Sequence, residues 1–277
     1  MIKLFAMDLD GTSLDSSSIL RKKTIEALKK LDENGIKFVF TSGRAMPSVK
    51  FLLSLTGIDN PIVANNGAVA MINEKNPIYT KTLENDQVKE LIRFSEENKL
   101  EYQFYDIDTY YSNRIIKNRF NHLKKDSSYG MNYQVNFSFS SNPLKELEIR
   151  SSKALKFQIF PNINRAFEKE KTLEKVKDLG LYATSSNERV IEIMQNGVNK
   201  FKAVSEICEI LGINKNEIAA IGDQDNDIPM LENAKLSFAM GNAISEVKKV
   251  CDIEVSTNDN YGLIEAINIV LEKNSHV

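Results

Sequence analysis

Short apolar runs that stop abruptly on polar, glycine-bearing clusters constrain this chain more than any other feature. Residues Ile2 to Met7 run into DLDGT (8–12), IKFVF into TSGR (41–44), PIVA into NNGA (65–68), and EIAAI into GDQDND (222–227). Runs of this length bounded by turn residues read as buried strands. Segments of helical spacing lie between them: Ile25, Leu28 and Leu31 with Gly35 as a stop, then AMPSVKFLLSLTG, and later KFKAVSEICEILG. Strand and helix in alternation predict a parallel α/β sheet. Ligands of such sheets bind at the carboxyl ends of the strands, where all of these polar clusters fall.

The alternation breaks near Leu83 and resumes at Asn199. Between them the chain offers a helix (LENDQVKELIRFSEENKL), strand-like EYQFYDIDTYYS, a strand (KALKFQIF), a helix from Ala166 to Leu179 and a hairpin (LYATSSNERVIEIMQ). Strands mixed with helices in this way predict an α+β unit, and most of the aromatic residues lie in it. The expected organisation is therefore a first domain built from residues 1–83 and 190–277, with residues 84–189 inserted as a second domain.

Composition then narrows the chemistry. Of 277 residues 42% are apolar, enough for a sizeable core, and 36 basic residues nearly balance 38 acidic ones at a net charge of -2. That balance gives no electrostatic footprint for nucleic acid or an anionic membrane. No window approaches the ~18 consecutive apolar residues of a membrane span, and a start carrying Asp8 and Asp10 does not read as a signal peptide. A cytoplasmic location is expected. Cys208 and Cys251 are far apart and form no CxxC, so neither a disulfide framework nor a thiolate zinc site is expected. His122 and His276 are isolated, which removes Ser-His-Asp and Cys-His catalysis and histidine metal sites. The chemistry is left to carboxylates, hydroxyls, lysines and backbone.

Asp8 and Asp10, one residue apart, project in the same direction from an extended segment. Asp223 and Asp227, around Asn226, end another strand. Acids gathered without histidines repel one another unless a hard cation joins them, and magnesium suits oxygen ligands and substrate phosphate. Ser42 with Gly43, Asn66 with Gly67, and the backbone from Leu9 to Gly11 offer donors for phosphate oxygens. Lys200 adds a positive charge just inside the helix that follows Gly197. Taken singly these are ordinary turns and a solvated lysine; their joint placement at strand ends sets them apart.

These motifs, in this order, resemble those of the haloacid dehalogenase-like phosphatases, specifically the Cof-type members with a large α/β cap, over essentially the whole chain. The resemblance implies a Rossmann-like parallel-sheet core with an inserted α+β cap. It implies that Asp8 is the nucleophile and a magnesium ligand, and that Asp10 is the general acid and base, ligating the metal through its carbonyl. Lys200 would contact both phosphate and nucleophile. Leu9, Ser42, Gly43 and Asn226 would bind phosphate, Asp223 would ligate the metal, and Asp227 would support the metal shell. Thr12, Arg44, Asn66 and Gly67 would act as supporting or substrate-side groups. Ser13 stands where the family usually has leucine, a change expected to affect only packing. Phe201 stands where the family usually has glycine, adding bulk beside Lys200. The implied activity is magnesium-dependent hydrolysis of small phosphorylated metabolites, such as sugar, pyridoxal or flavin phosphates, through an aspartyl-phosphate. The leaving group would lie between core and cap, and the chain would be a monomer or weak homodimer. A phosphosugar mutase on the same core is one alternative. A non-enzymatic, receiver-like phospho-acceptor domain is another, although receiver domains are far shorter and lack a cap.

Overall fold

A computed structural model describes residues 1–73, 77–114, 136–162, 165–187 and 189–275. His122 and His276 lie outside the described residues. The chain divides into two compact units, one comprising Met1–Arg44, Ser48–Tyr79 and Asn199–Val277, the other Ala45–Pro47 and Thr80–Val198.

The first unit opens with β1 (Leu4–Asp8), α1 (Lys22–Glu33), β2 (Lys37–Thr41), α2 (Met46–Ser54), β3 (Ile62–Ala64), β4 (Val69–Met71) and β5 (Tyr79–Thr80). Strand and helix form where the apolar periodicity places them, with Leu28 and Leu31 of α1 buried. The sheet is not wholly parallel, however. β3 folds back into β4 as an antiparallel pair, with Ile62 opposite Met71. The fold-back is made by Asn65, Asn66 and Gly67, whose φ angles of 50°, 57° and 99° are all in or beyond the left-handed region.

The second unit contains α3 (Asn85–Glu97), β6 (Glu101–Tyr105), β7 (Thr109–Ser112), β8 (Asn136–Phe139), α4 (Pro143–Ile149), β9 (Lys156–Phe160), α5 (Ala166–Asp178), β10 (Leu181–Asn187) and β11 (Val190–Gln195). Its six strands run in the order β10-β11-β9-β6-β7-β8. Alternate residues Tyr102, Phe104, Phe157, Ile159, Ile191 and Ile193 share one core with Leu91, Leu147 and Val176 from the helices. Strand-like EYQFYDIDTYYS resolves into two antiparallel strands, because Asp106 Oδ1 accepts from the backbone N–H groups of Asp108 and Thr109 and closes a turn. The short α4 was not expected from the sequence. Its signal is the Asn142-Pro143 pair, where the Asn142 side chain accepts from the Lys145 N–H.

Both expected boundaries move. β11 pairs with β10 on one side and β9 on the other, so a division between residues 189 and 190 would cut a hairpin inside the sheet. Leu83 is fully buried in this unit's core and donates its N–H to the Ala154 carbonyl. The inserted unit therefore runs from Thr80 to Val198.

From Asn199 the first unit resumes with α6 (Lys200–Leu211), β12 (Ile218–Gly222), α7 (Ile228–Glu232), β13 (Leu236–Ala239), α8 (Ser245–Val250), β14 (Ile253–Glu254) and α9 (Gly262–Ser275). Its eight strands lie in the order β14-β13-β12-β1-β2-β3-β4-β5, parallel from β14 through β3. β1 is central, and Leu4, Phe5, Ala6 and Met7 are all fully buried, as a strand covered on both faces requires. Leu4 and Ala6 share a cluster with Ala203, Val204 and Ile207 of α6, while Phe5 meets Phe238 at a centroid separation of 5.7 Å. Among the described residues no helix is long and apolar enough to cross a membrane.

A methyl group at Gly67 would collide with the Asn199 carbonyl immediately before α6, whereas one at Gly35 (φ 75°) meets nothing within 4 Å. Gly35→Ala is expected to cost only backbone strain, about 1 kcal/mol. Gly67→Ala is expected to lose at least about 2 kcal/mol, since backbone must also move. Urea unfolding midpoints of the two variants check this ordering.

Candidate active site

Asp8 ends β1, Ser42 follows β2, Asn66 follows β3 and Asp223 follows β12. These strands are neighbours and parallel, so their carboxyl ends form one edge of the sheet. Lys200 is the first residue of α6, held there by the Asn199 side chain, which accepts from the Lys202 N–H at 2.8 Å.

Lys200 is fully buried and lies between two carboxylates: its Nζ bonds Asp8 Oδ1 and, at 2.6 Å, Asp227 Oδ1. Burial works against the ammonium, but Asp227 and Asp8 outweigh it and hold its pKa above the ordinary lysine value. Asp227 Oδ2 accepts from the N–H groups of Asp223 and Gln224 at 3.0 and 3.1 Å, which ties the lysine to the 222–227 loop. Asp223 in turn accepts from the Thr12 hydroxyl at 2.8 Å, linking that loop to the turn after β1. Gly11 (φ 80°) makes the link possible, because a Cβ there would collide with the Asp223 carboxylate.

Carboxylate oxygens of Asp8, Asp223 and Asp227 lie within 4.8 Å of one another, all buried. One lysine cannot neutralise three acids. Burial chiefly, only partly offset by Lys200 and reinforced by Asp227, Asp223 and Asp10, pushes the Asp8 pKa well above the carboxylate range. Burial and Asp227 push Asp223 up to about 6. Surplus negative charge on an all-oxygen donor set is what a hard divalent cation relieves, so these residues fit magnesium.

The other sequence-derived candidates separate into two pairs. Asn226 Nδ2 donates to Asn66 Oδ1 at 3.1 Å, and Gly43 leaves room for that side chain. Asp10 stands outside the carboxylate cluster, exposed, with its carboxylate taken by the Arg44 guanidinium through Nε at 2.8 Å and through Nη2. Arg44 is itself set by its own N–H, which donates to Ser42 Oγ at 3.1 Å. Leu9 is buried in the turn, where its carbonyl accepts from the Leu14 N–H. Gly67 abuts the start of α6.

The two departures noted in the sequence have different outcomes. Ser13 does more than pack, since its hydroxyl donates to the Asp8 carbonyl and braces the strand end. Phe201 lies half-buried against the apolar cluster of the first unit, with Lys215 Nζ 5.8 Å from its ring. Sequence reasoning missed Asn242, whose side chain donates to the Gly11 carbonyl at 2.8 Å. The MGN turn after β13 was its only signal.

Removing the ammonium leaves two buried acids unpaired. Lys200→Met is therefore expected to destabilise the metal-free protein by about 3–5 kcal/mol. Lys3→Met, which breaks the half-exposed pair with Glu217, should cost at most about 1 kcal/mol. Guanidinium unfolding of both variants in chelator reads the difference.

Comparison with known proteins gives the family. The family model of haloacid dehalogenase-like hydrolases matches residues 5–267. Phosphatase YwpJ of Bacillus subtilis is 27% identical over 98% of this chain and 100% of its own. The 5-amino-6-(5-phospho-D-ribitylamino)uracil phosphatase YcsE of the same organism is 26% identical over 96% of this chain and 94% of its own. Among solved structures, a haloacid dehalogenase-like hydrolase from Bacteroides thetaiotaomicron superposes with a TM-score of 0.82 at 26% identity, covering 98% and 100% of the two chains. With its four strand-end motifs at one sheet edge and a family match over nearly its full length, the chain belongs to the haloacid dehalogenase-like hydrolases and is a phosphatase.

Proposed function

We propose that the protein is a magnesium-dependent phosphatase of small phosphorylated metabolites, sugar or polyol phosphates first among them, working through a phosphate carried on Asp8. The observation that carries this reading is the buried Asp8–Lys200–Asp227 array at the end of the central strand. An ammonium bonded to a carboxylate at the carboxyl edge of a parallel sheet is suited to bring a phosphate dianion and an anionic nucleophile together. The naming of relatives such as YcsE for a phosphorylated ribityl compound supports the polyol class.

Asp8 and Asp223 carboxylates and the Asp10 carbonyl would hold the ion, which when bound supplies charge stabilisation to the phosphoryl oxygens. Asp8 attacks phosphorus, forming an O–P bond as the ester O–P bond breaks. Lys200 offsets charge on the nucleophile and the phosphoryl group. Ser42, Asn226 and the backbone from Leu9 to Gly11 orient the oxygens. Asp10 gives a proton to the departing alkoxide and then takes one from the water that releases phosphate. Arg44 sets the position of that carboxylate beforehand. The cysteines take no part: burial raises the Cys208 and Cys251 thiols to about 11 and about 12, which suits inert thiols in a reducing cytoplasm.

Asp8→Asn should abolish phosphate release while leaving the fold intact, as followed by malachite green and circular dichroism. Chelator should abolish turnover, and magnesium should raise the melting temperature of the wild type but not of Asp223→Ala. Asp10→Asn should slow hydrolysis of alkyl phosphates by about 10²- to 10⁴-fold. With p-nitrophenyl phosphate, whose leaving group needs no proton, the same variant should accumulate phosphate on the Asp8 peptide, detected by rapid-quench mass spectrometry. Full turnover in chelator, or an active Asp8→Asn, would refute the mechanism.

A further inference from the structure

Asn242 is exposed and stands outside the carboxylate cluster, yet it bonds the turn that carries Asp10. Its amide bridges two backbone groups far apart in the chain. Nδ2 donates to the Gly11 carbonyl at 2.8 Å, while Oδ1 accepts from the Asn258 N–H at 2.9 Å and so fixes which end of the amide faces Gly11. The Asn258 side chain in turn donates to the Leu14 carbonyl at 2.9 Å. The turn after β1 is therefore held at Gly11 and at Leu14 from the loops that follow β13 and β14.

The segment around Asn242 also reaches the second acid-bearing loop. The Ala243 N–H donates to the Met240 carbonyl at 2.8 Å, closing the turn after β13, and the Ile244 N–H donates to the Asp223 carbonyl at 3.1 Å. Residues 242 and 244 thus join the Asp10–Gly11 turn to the Asp223 loop through backbone, where Thr12 joins them through a side chain. Asp10 itself has only its carboxylate held by Arg44, which leaves its carbonyl to be placed by the turn. Asp10 (φ -76°, ψ 119°) and Gly11 (φ 80°, ψ -2°) have the dihedrals of a type II turn. Glycine leaves such a turn loosely specified by its own sequence. A bond from outside, to the Gly11 carbonyl, supplies what the local sequence lacks.

We propose that Asn242 is a positioning residue for the metal: by tying the turn that bears the Asp10 carbonyl to the segment bonded to Asp223, it sets the placement of two oxygen ligands of one ion. The inference rests on the magnesium reading above and goes beyond it by assigning part of the affinity for the ion to a side chain that does not touch it. Partners that orient metal ligands from behind commonly act in this way.

The test measures magnesium affinity of wild type, Asn242→Ala and Asn274→Ala by isothermal titration calorimetry. Asn274 is a matched control, because its amide also bridges two backbone groups, the N–H and carbonyl of Ile2 at 2.8 and 2.7 Å, just before β1 and at the other end of that strand from Asp8. Asn242→Ala should bind magnesium about tenfold or more weakly, and Asn274→Ala within about twofold of wild type. Because Arg44 still holds the Asp10 carboxylate, saturating magnesium should return Asn242→Ala turnover of p-nitrophenyl phosphate to within about threefold of wild type. An affinity unchanged in Asn242→Ala, or weakened equally in both variants, would overturn the assignment. Turnover that saturating magnesium fails to restore would overturn it too. A wild type that binds no magnesium would refute the magnesium reading, and this inference with it, and leave membership of the phosphatase family standing. Should Asn242→Ala be insoluble, Asn242→Ser, too short to reach Gly11, is read in the same way.

Discussion

A fully buried ammonium between two carboxylates sets the terms for the rest of the first unit. Lys200 cannot be charged in an apolar interior unless Asp8 and Asp227 both reach it. Asp8 reaches it because β1 is the central strand and ends at that residue. Asp227 reaches it because the loop after β12 turns back on itself, its second carboxylate oxygen accepting from two backbone N–H groups. That turn needs Gly222, where a Cβ would collide with the Asp227 side chain. The capped start of α6 supplies the third side. Sheet order, one glycine and one helix cap are thus all tied to a single nitrogen.

The same arrangement leaves the site with more negative charge than the protein neutralises. Asp223 is drawn toward Asp8 and Asp227 by the Thr12 hydroxyl and by the close approach that Gly11 permits. Its raised pKa and that of Asp8 record the electrostatic cost. A hard cation would lower that cost. Asp10 lies outside the cluster, engaged by Arg44. Two aspartates separated by one residue thereby receive different environments, one buried against an ammonium and one exposed against a guanidinium.

Much of this was legible in the sequence because the signals are local. Apolar runs ending in DLDGT, TSGR and GDQDND mark strand ends whatever lies around them, and the capping asparagine before Lys200 marks a helix start. The inserted unit was legible as a break in rhythm. Its limits were less so: a boundary at residue 189 divides the LYATSSNERVIEIMQ hairpin that the sequence itself offers, and the pairing of β11 with β10 and β9 keeps both strands in the inserted unit. The return of β3 into β4 was obscured as well: NNG reads as a turn, but its direction depends on consecutive left-handed residues.

The sequence by itself determined which residue types were available for chemistry: carboxylates, hydroxyls, lysine and backbone amides, with no paired cysteines and no histidine cluster. It also determined their placement at the ends of strands, since both follow from composition and short-range periodicity. Only the tertiary structure decided which acids share a charge with Lys200 and that Arg44 takes Asp10. It alone showed that Ser13 braces Asp8. Those outcomes depend on strand order and on contacts between residues as far apart as Asp8 and Lys200. Long-range pairing is selected by packing and electrostatics acting over the whole sheet, and no short stretch of the chain encodes it.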